Sequence, residues 1–160
     1  MAKRSPLVII FFTVFIDLVG FGIVIPILPL YGKHFGASPL VIGCLVAVYS
    51  LMQFIFAPIL GKLSDRVGRR PVLLFSILGT AFGFLLMGLA KTLALLFVAR
   101  IIDGITGGNL STAQAYIADV TTKEERSKGM GLIGAAFGLG FIFGPAIGGV
   151  LSGISLAAPF

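Results

Sequence analysis

Three ionisable residues stand in stretches that are otherwise free of charge: Asp17 within residues 6–30, and Arg100 and Asp103 within 92–118. A carboxyl group held away from water gains or loses its proton according to its neighbours. Asp17 is therefore either a site of proton exchange or half of a fixed polar contact between helices. Arg100 and Asp103, three residues apart, are placed either to pair with each other or to serve a polar cavity. A second charged group, Asp65 with Arg66, Arg69 and Arg70, lies between two uncharged runs. Groups that make and break bonds are missing. There is no P-loop, no metal-ligand cluster and no Ser/His/Asp motif in a chain whose one histidine is His34. His34 reads as a solvated loop residue. The expectation is a protein that is not an enzyme and uses no cofactor and no metal.

The elements that must hold these residues follow from composition. The chain is 58% hydrophobic and 11% charged, with a mean hydropathy of +1.11, whereas a soluble domain carries about 25% charged residues. The charges are bunched, and the runs between them are long enough to cross a hydrocarbon core of about 30 Å as helices. Five spans are expected, at about 6–30, 40–60, 71–89, 92–118 and 129–151. The runs lack period-2 alternation, which argues against barrel strands, and helices satisfy their own backbone groups in lipid. The first run exceeds a signal-peptide core, and Pro26-Ile27-Leu28-Pro29 offers no small-residue cleavage site. Cys44 is the only cysteine, so no intrachain disulfide forms. Asp17 falls about 11 residues, or roughly 16 Å, into the first span, near the bilayer midplane. An ionisable group there marks a functional site by default. On the fourth span Arg100, Asp103, Gly104, Gly107, Ser111 and Gln114 share an arc of about 100°, a polar stripe that must face a cavity or other helices.

Basic residues set the orientation. With the N-terminus inside, Lys3, Arg4, Lys62, Arg66, Arg69, Arg70, Lys123, Arg126 and Lys128 all lie on the cytoplasmic side, and only Lys33 and Lys91 lie outside. The net charge of +6 is then a topological signal. A nucleic-acid partner is not expected, because the basic residues alternate with spans.

The segment Gly61-Lys62-Leu63-Ser64-Asp65-Arg66-Val67-Gly68-Arg69-Arg70-Pro71 is more restrictive than a generic basic loop. Gly61 is expected to let the second helix approach a neighbour, Gly68 to turn the chain, and Pro71 to sit in the first turn of the third helix. Its spacing resembles the loop signature of the major facilitator superfamily. Three further stretches resemble the same family in the same order. They are Asp17 to Pro29 in the first helix, Arg100 and Gly104 in the fourth, and Gly140-Phe141-Ile142-Phe143-Gly144-Pro145-Ala146-Ile147-Gly148-Gly149 in the fifth. The last is similar to the family's antiporter motif, and the whole resembles the drug–proton antiporters, the tetracycline-exporter branch in particular.

The resemblance implies an all-α membrane protein of twelve helices in two six-helix halves, of which this chain covers five helices of the N-terminal half. It implies proton-coupled efflux of small amphipathic molecules by alternating access, in a multi-pass protein of the cell (inner or plasma) membrane. The partners implied are the substrate, protons, the bilayer and the remaining C-terminal helices. It places Asp17, Arg100, Asp103 and Gln114 in proton coupling or the cavity. It assigns Gly61, Asp65, Arg66, Gly68, Arg69, Arg70 and Asp119 to a gating cluster, unless these charges are simply solvated at the membrane surface. Gly140, Gly144, Pro145, Gly148 and Gly149 form the fifth-helix motif, or a plain close-packing face that Pro145 kinks. One departure concerns the third helix, where tetracycline exporters carry an acidic residue and this chain has Gly83; a magnesium-chelated drug is thereby put in doubt. A sugar or organic-acid symporter of the same fold and a non-transporting membrane scaffold are the alternatives. The end at Ala157-Ala158-Pro159-Phe160 reads as a broken outer loop. With the sixth helix missing, the glycine face of the fifth helix and the polar stripe of the fourth are expected to lack partners, and the fragment to insert without transporting.

Overall fold

The computed structural model describes residues 6–160, so Lys3 and Arg4 of the orientation argument lie outside the described residues. Six helices follow one another, and no strand occurs among the described residues. They are α1 (Pro6–His34), α2 (Pro39–Val67), α3 (Arg69–Gly88), α4 (Leu93–Thr106), α5 (Asn109–Val120) and α6 (Lys123–Ser152). With α4 and α5 counted as one, five helical segments are long and apolar enough to cross a membrane.

The helix starts are set by side chains that satisfy orphan backbone donors. Ser38 Oγ accepts from the Val41 N–H, and Thr92 Oγ1 from that of Leu95. Thr122 Oγ1 accepts from the Glu125 N–H at 3.3 Å. Glu125 stands three residues after Thr122, and with Glu124 it puts two carboxylates in the first turn, where the helix dipole favours them. This start carries α6 back to Lys123, ahead of the uncharged run that begins at Gly129. At the turn carrying Arg69 and Arg70 only Gly68 separates α2 from α3. Its φ of 99° lies where a side chain is disfavoured, which is why the reversal takes one residue. Pro71 sits in the first turn of α3, as the sequence indicates.

The fourth span departs from the single helix expected over 92–118. It breaks at Gly107 and Gly108, whose backbone is near-helical; the Gly107 N–H still donates to the Asp103 carbonyl, and the ladder is interrupted beyond it. The Gly107 carbonyl instead accepts a hydrogen bond from Gln53 Nε2 of α2 at 2.8 Å. A donor from a neighbouring helix is what such a break requires in lipid.

Two apolar clusters hold the bundle together. One, toward the Arg69 end, joins Ile10, Val14 and Leu18 to Leu73, Ala113, Ile117, Ile133 and Ala136. The other joins Val24, Leu28 and Tyr31 to Leu45, Met87, Leu96 and Ala99. Tyr31 donates to the Ala90 carbonyl at 2.9 Å, and the Phe160 ring stacks on Tyr31 with centroids 5.7 Å apart. The residues expected as a loose outer loop therefore fold back onto α1 and α3.

Candidate functional site

The intramembrane charges converge. Arg100 Nη1 donates to Asp103 Oδ2 at 2.7 Å, and the two side chains are 2% and 6% exposed. The Arg100 guanidinium also lies 4.1 Å from the centroid of the Tyr49 ring on α2, a cation–π contact shielded from water. Asp17 approaches from α1 and is only partly buried. It accepts a long hydrogen bond of 3.5 Å from Thr80 Oγ1 of α3 and makes no ion pair among the described residues. Thr80 also faces Asp103, and Asn109 approaches Asp17 from α5. Two carboxylates and one guanidinium, from α1 and α4, thus meet around a threonine of α3. Asp17 lines one wall of an apolar groove of about 880 Å³ between α1 and α3, with Phe12, Ile16, Ile77 and Phe84.

Glycines let these helices close on the centre. A Cβ at Gly83 would lie 3.0 Å from Asp103 Cβ, so the glycine of α3 makes room for the carboxylate of α4. A Cβ at Gly104 would meet the Tyr49 carbonyl oxygen at 2.6 Å, which seats α4 on α2 and brings Arg100 over Tyr49. The expectation that the polar stripe lacks partners is therefore overturned for its buried half: Arg100, Asp103, Gly104 and Gly107 are covered by α2 and α3. Ser111 and Gln114 separate from it. Both are exposed and line a second groove of about 770 Å³ with Gln53 and Pro58. Gln114 is accordingly not grouped with Asp17 and Arg100, because the break at Gly107 divides the stripe.

The fifth-helix motif lies on α6, whose glycine face also has a partner, contrary to expectation. Gly140, Gly144 and Gly148 pack on α1, where a Cβ at Gly144 would lie 2.7 Å from Gly22 Cα and from the Val19 carbonyl oxygen. Gly149 points to open space, and α6 continues through Pro145 as one helix.

At the Arg69 end, Arg69 ties three helices together. Its Nε donates to Asp119 Oδ2 of α5 at 2.9 Å, and its Nη1 pairs with Asp65 and donates to Ser64 Oγ at 2.6 Å. Arg69 is 18% exposed and its acidic partners about half exposed, at 60% and 52%, so the three are paired rather than freely solvated. Arg70 Nε reaches the Tyr116 hydroxyl at 3.1 Å. Arg66 is exposed and makes no ion pair among the described residues, and the space beside Gly61 is open. No described helix approaches Gly61, whose carbonyl accepts from Ser64 Oγ.

A bundle of spans with this one-glycine reversal, this three-helix arginine and a charged centre is matched by one family model. The model for the Major Facilitator Superfamily covers residues 10–160. The chain belongs to that superfamily. Among curated proteins of the superfamily's kind, it is 46% identical to "Tetracycline resistance protein, class C" of Escherichia coli, over all of this chain and 41% of that protein. It is 46% identical to the class B protein of Escherichia coli over 91% of this chain and 37% of the relative. To "Multidrug resistance protein 2" of Bacillus subtilis (strain 168) it is 33% identical over 99% of this chain and 40% of the relative. The chain spans about two-fifths of the length of these relatives. It is a multi-pass membrane protein of this superfamily. Sequence reasoning missed Tyr49, Gln53, Ser64, Thr80 and Asn109. The one available signal was polar residues recurring every third position after Arg100, at Thr106, Asn109 and Thr112.

Proposed function

We propose that the protein to which this chain belongs is a proton-coupled exporter of small amphipathic molecules, working by alternating access with its N-terminus in the cytoplasm. The observation that carries the reading is the charge count at the centre: Arg100 pairs with Asp103, while Asp17, held by Thr80, has no cationic partner among the described residues. An uncompensated charge in the hydrocarbon region is costly, and one proton on the carboxylate pair removes it. Binding and release of that proton then changes the contacts among α1, α3 and α4, which is what coupling requires. The names of the relatives support export, with tetracyclines or other drugs as the substrate class. Gly83 removes the third-helix carboxylate expected of tetracycline exporters, yet the Asp103 side chain stands against that position, so an acidic group is retained there from α4. In this reading Asp65, Arg69 and Asp119 form the cytoplasmic gate, closing while α2, α3 and α5 are held together and opening when the ion pairs part.

The test uses everted membrane vesicles from cells expressing the complete gene. Asp17→Asn and Asp103→Asn each keep side-chain shape and remove a titratable site. Both are expected to abolish substrate uptake driven by a pH gradient while the amount of inserted protein stays normal. Wild-type uptake in both variants would return the charged centre to a packing role.

A further inference from the structure

Arg100 is the most deeply enclosed charge among the described residues, at 1% exposure, and it hydrogen-bonds only to Asp103. Its Nε has no partner. The other support of the guanidinium is the Tyr49 ring of α2, whose centroid lies 4.1 Å from Arg100 Cζ. That ring is fixed by contacts in which the Asp103 carboxylate takes no part. A Cβ at Gly104 would lie 2.6 Å from the Tyr49 carbonyl oxygen and 3.0 Å from its Cα, so α4 rests directly on the Tyr49 backbone. At the far end of the ring, a Cβ at Gly107 would lie 2.9 Å from the Tyr49 hydroxyl, which accepts a hydrogen bond of 3.2 Å from Gln53 Nε2. Gln53 is itself anchored on the Gly107 carbonyl. Phe21 of α1 packs against the ring with centroids 5.7 Å apart, and Tyr49 is buried. The aromatic face is therefore held under Arg100 from both ends, out of water, whether Asp103 is charged or neutral.

The carboxylate is the support that can be lost. A proton on Asp103 cancels its charge and leaves the guanidinium without a counter-ion in the hydrocarbon region, which is costly. Few ionisable groups face the pair. Asp17 comes from α1 and makes no ion pair among the described residues. The third helix has none from Pro71 to Gly88, α5 presents the uncharged Asn109, and α6 has none from Gly129 to Ser152. An aromatic face attracts a cation most strongly where water is excluded, and here it is the compensation that remains in contact.

We infer that the Tyr49 ring is a second counter-charge for Arg100, which keeps the cation in place while Asp103 carries the proton. Tyr49 acts through Arg100 and is a positioning residue. The first half of the inference stands on the geometry alone; the second rests on the proton-coupled reading.

Two measurements on the complete protein test this. The first is melting in detergent. Tyr49→Leu removes the ring but keeps an apolar side chain, and Asp103→Asn imitates the protonated carboxyl. Tyr49→Leu should lower the melting temperature at least about twice as far in the Asp103→Asn background as in the otherwise unchanged protein. The second uses everted vesicles to separate two kinds of turnover. Uptake driven by a pH gradient releases a proton in each cycle, whereas exchange of substrate for substrate at equal pH does not. Tyr49→Leu should slow gradient-driven uptake about tenfold and exchange by less than about twofold, and Tyr49→Phe should bring uptake back close to the wild-type rate. Equal melting shifts in the two backgrounds overturn the counter-charge. Unequal shifts with wild-type uptake, or with uptake and exchange slowed alike, overturn the link to the proton and leave the counter-charge standing. Uptake as slow in Tyr49→Phe as in Tyr49→Leu assigns the effect to the hydroxyl and Gln53, which also overturns that link. Wild-type vesicles without gradient-driven uptake count against the export reading instead, and the melting shifts still decide the role of the ring.

Discussion

Two alanine substitutions on α6 separate close packing from helix propensity. Gly144 and Gly138 both lie in the interior of this helix, so alanine gains about 0.5–1 kcal/mol of backbone entropy at either. Their surroundings differ. A Cβ at Gly144 would lie 2.7 Å from Gly22 Cα, 2.7 Å from the Val19 carbonyl oxygen and 2.8 Å from the Gly22 carbonyl carbon, whereas nothing lies within 4 Å of one at Gly138. All three neighbours of Gly144 are backbone atoms, so no rotamer change relieves the contact. Restoring ordinary van der Waals distance parts α1 from α6 by roughly 0.7 Å, and a gap of that size forfeits about a quarter to a half of each contact's dispersion energy. Overpacking of this kind costs about 1–3 kcal/mol. Gly144→Ala is therefore expected to lose about 1–2 kcal/mol net, and Gly138→Ala to gain up to about 1 kcal/mol. At about 2–4 °C per kcal/mol for a chain of this length, the two melting temperatures should differ by roughly 5 °C. Fluorescence-detected size exclusion of the heated 160-residue chain in detergent reads the difference. A Gly144→Ala chain that melts with, or above, Gly138→Ala would refute the backbone-contact argument.

Gln53→Leu leaves the Gly107 carbonyl without its donor and should lower stability by about 1 kcal/mol, read by the same melting assay. An unchanged melting temperature would mean that the break in the fourth span needs no support from α2. Asp119→Asn removes a half-exposed partner of Arg69, so stability should fall by less than about 1 kcal/mol, while gradient-driven export by the complete protein should drop sharply. Wild-type export would make the cluster a surface feature and not a gate. A reporter active only in the cytoplasm should be active when fused after Arg70 or Lys128 and silent after Lys33 or Lys91. Activity at Lys33 would reverse the orientation.

The spans, the one-residue turn at Gly68 and the family were legible in the residues, because each depends on local chemistry. Long uncharged runs admit one environment. A glycine between basic residues and a proline admits a sharp reversal. Asp65 and Arg69 stand only four residues apart on either side of that reversal, so the turn itself keeps the pair within reach. Asp119, 50 residues from Arg69 in the chain, entered only through resemblance, since nothing local points from one to the other. What the sequence left open was where the helices turn their faces. Thr80, Asn109 and Tyr49 are ordinary residues in apolar helices, and they become part of a charged centre only when α1, α2, α3 and α5 rotate them onto Asp17 and Arg100. The stripe through Gln114 looked continuous because an unbroken helix was assumed. At the break the Gly107 carbonyl takes its hydrogen bond from Gln53, 54 residues away in the chain. Likewise Gly61 and Gly149 carry the same letter as Gly104 and Gly144, yet two face open space and two touch a neighbouring backbone. Which glycine serves a contact is decided by the helix across from it, and that helix is placed by the packing of the whole bundle.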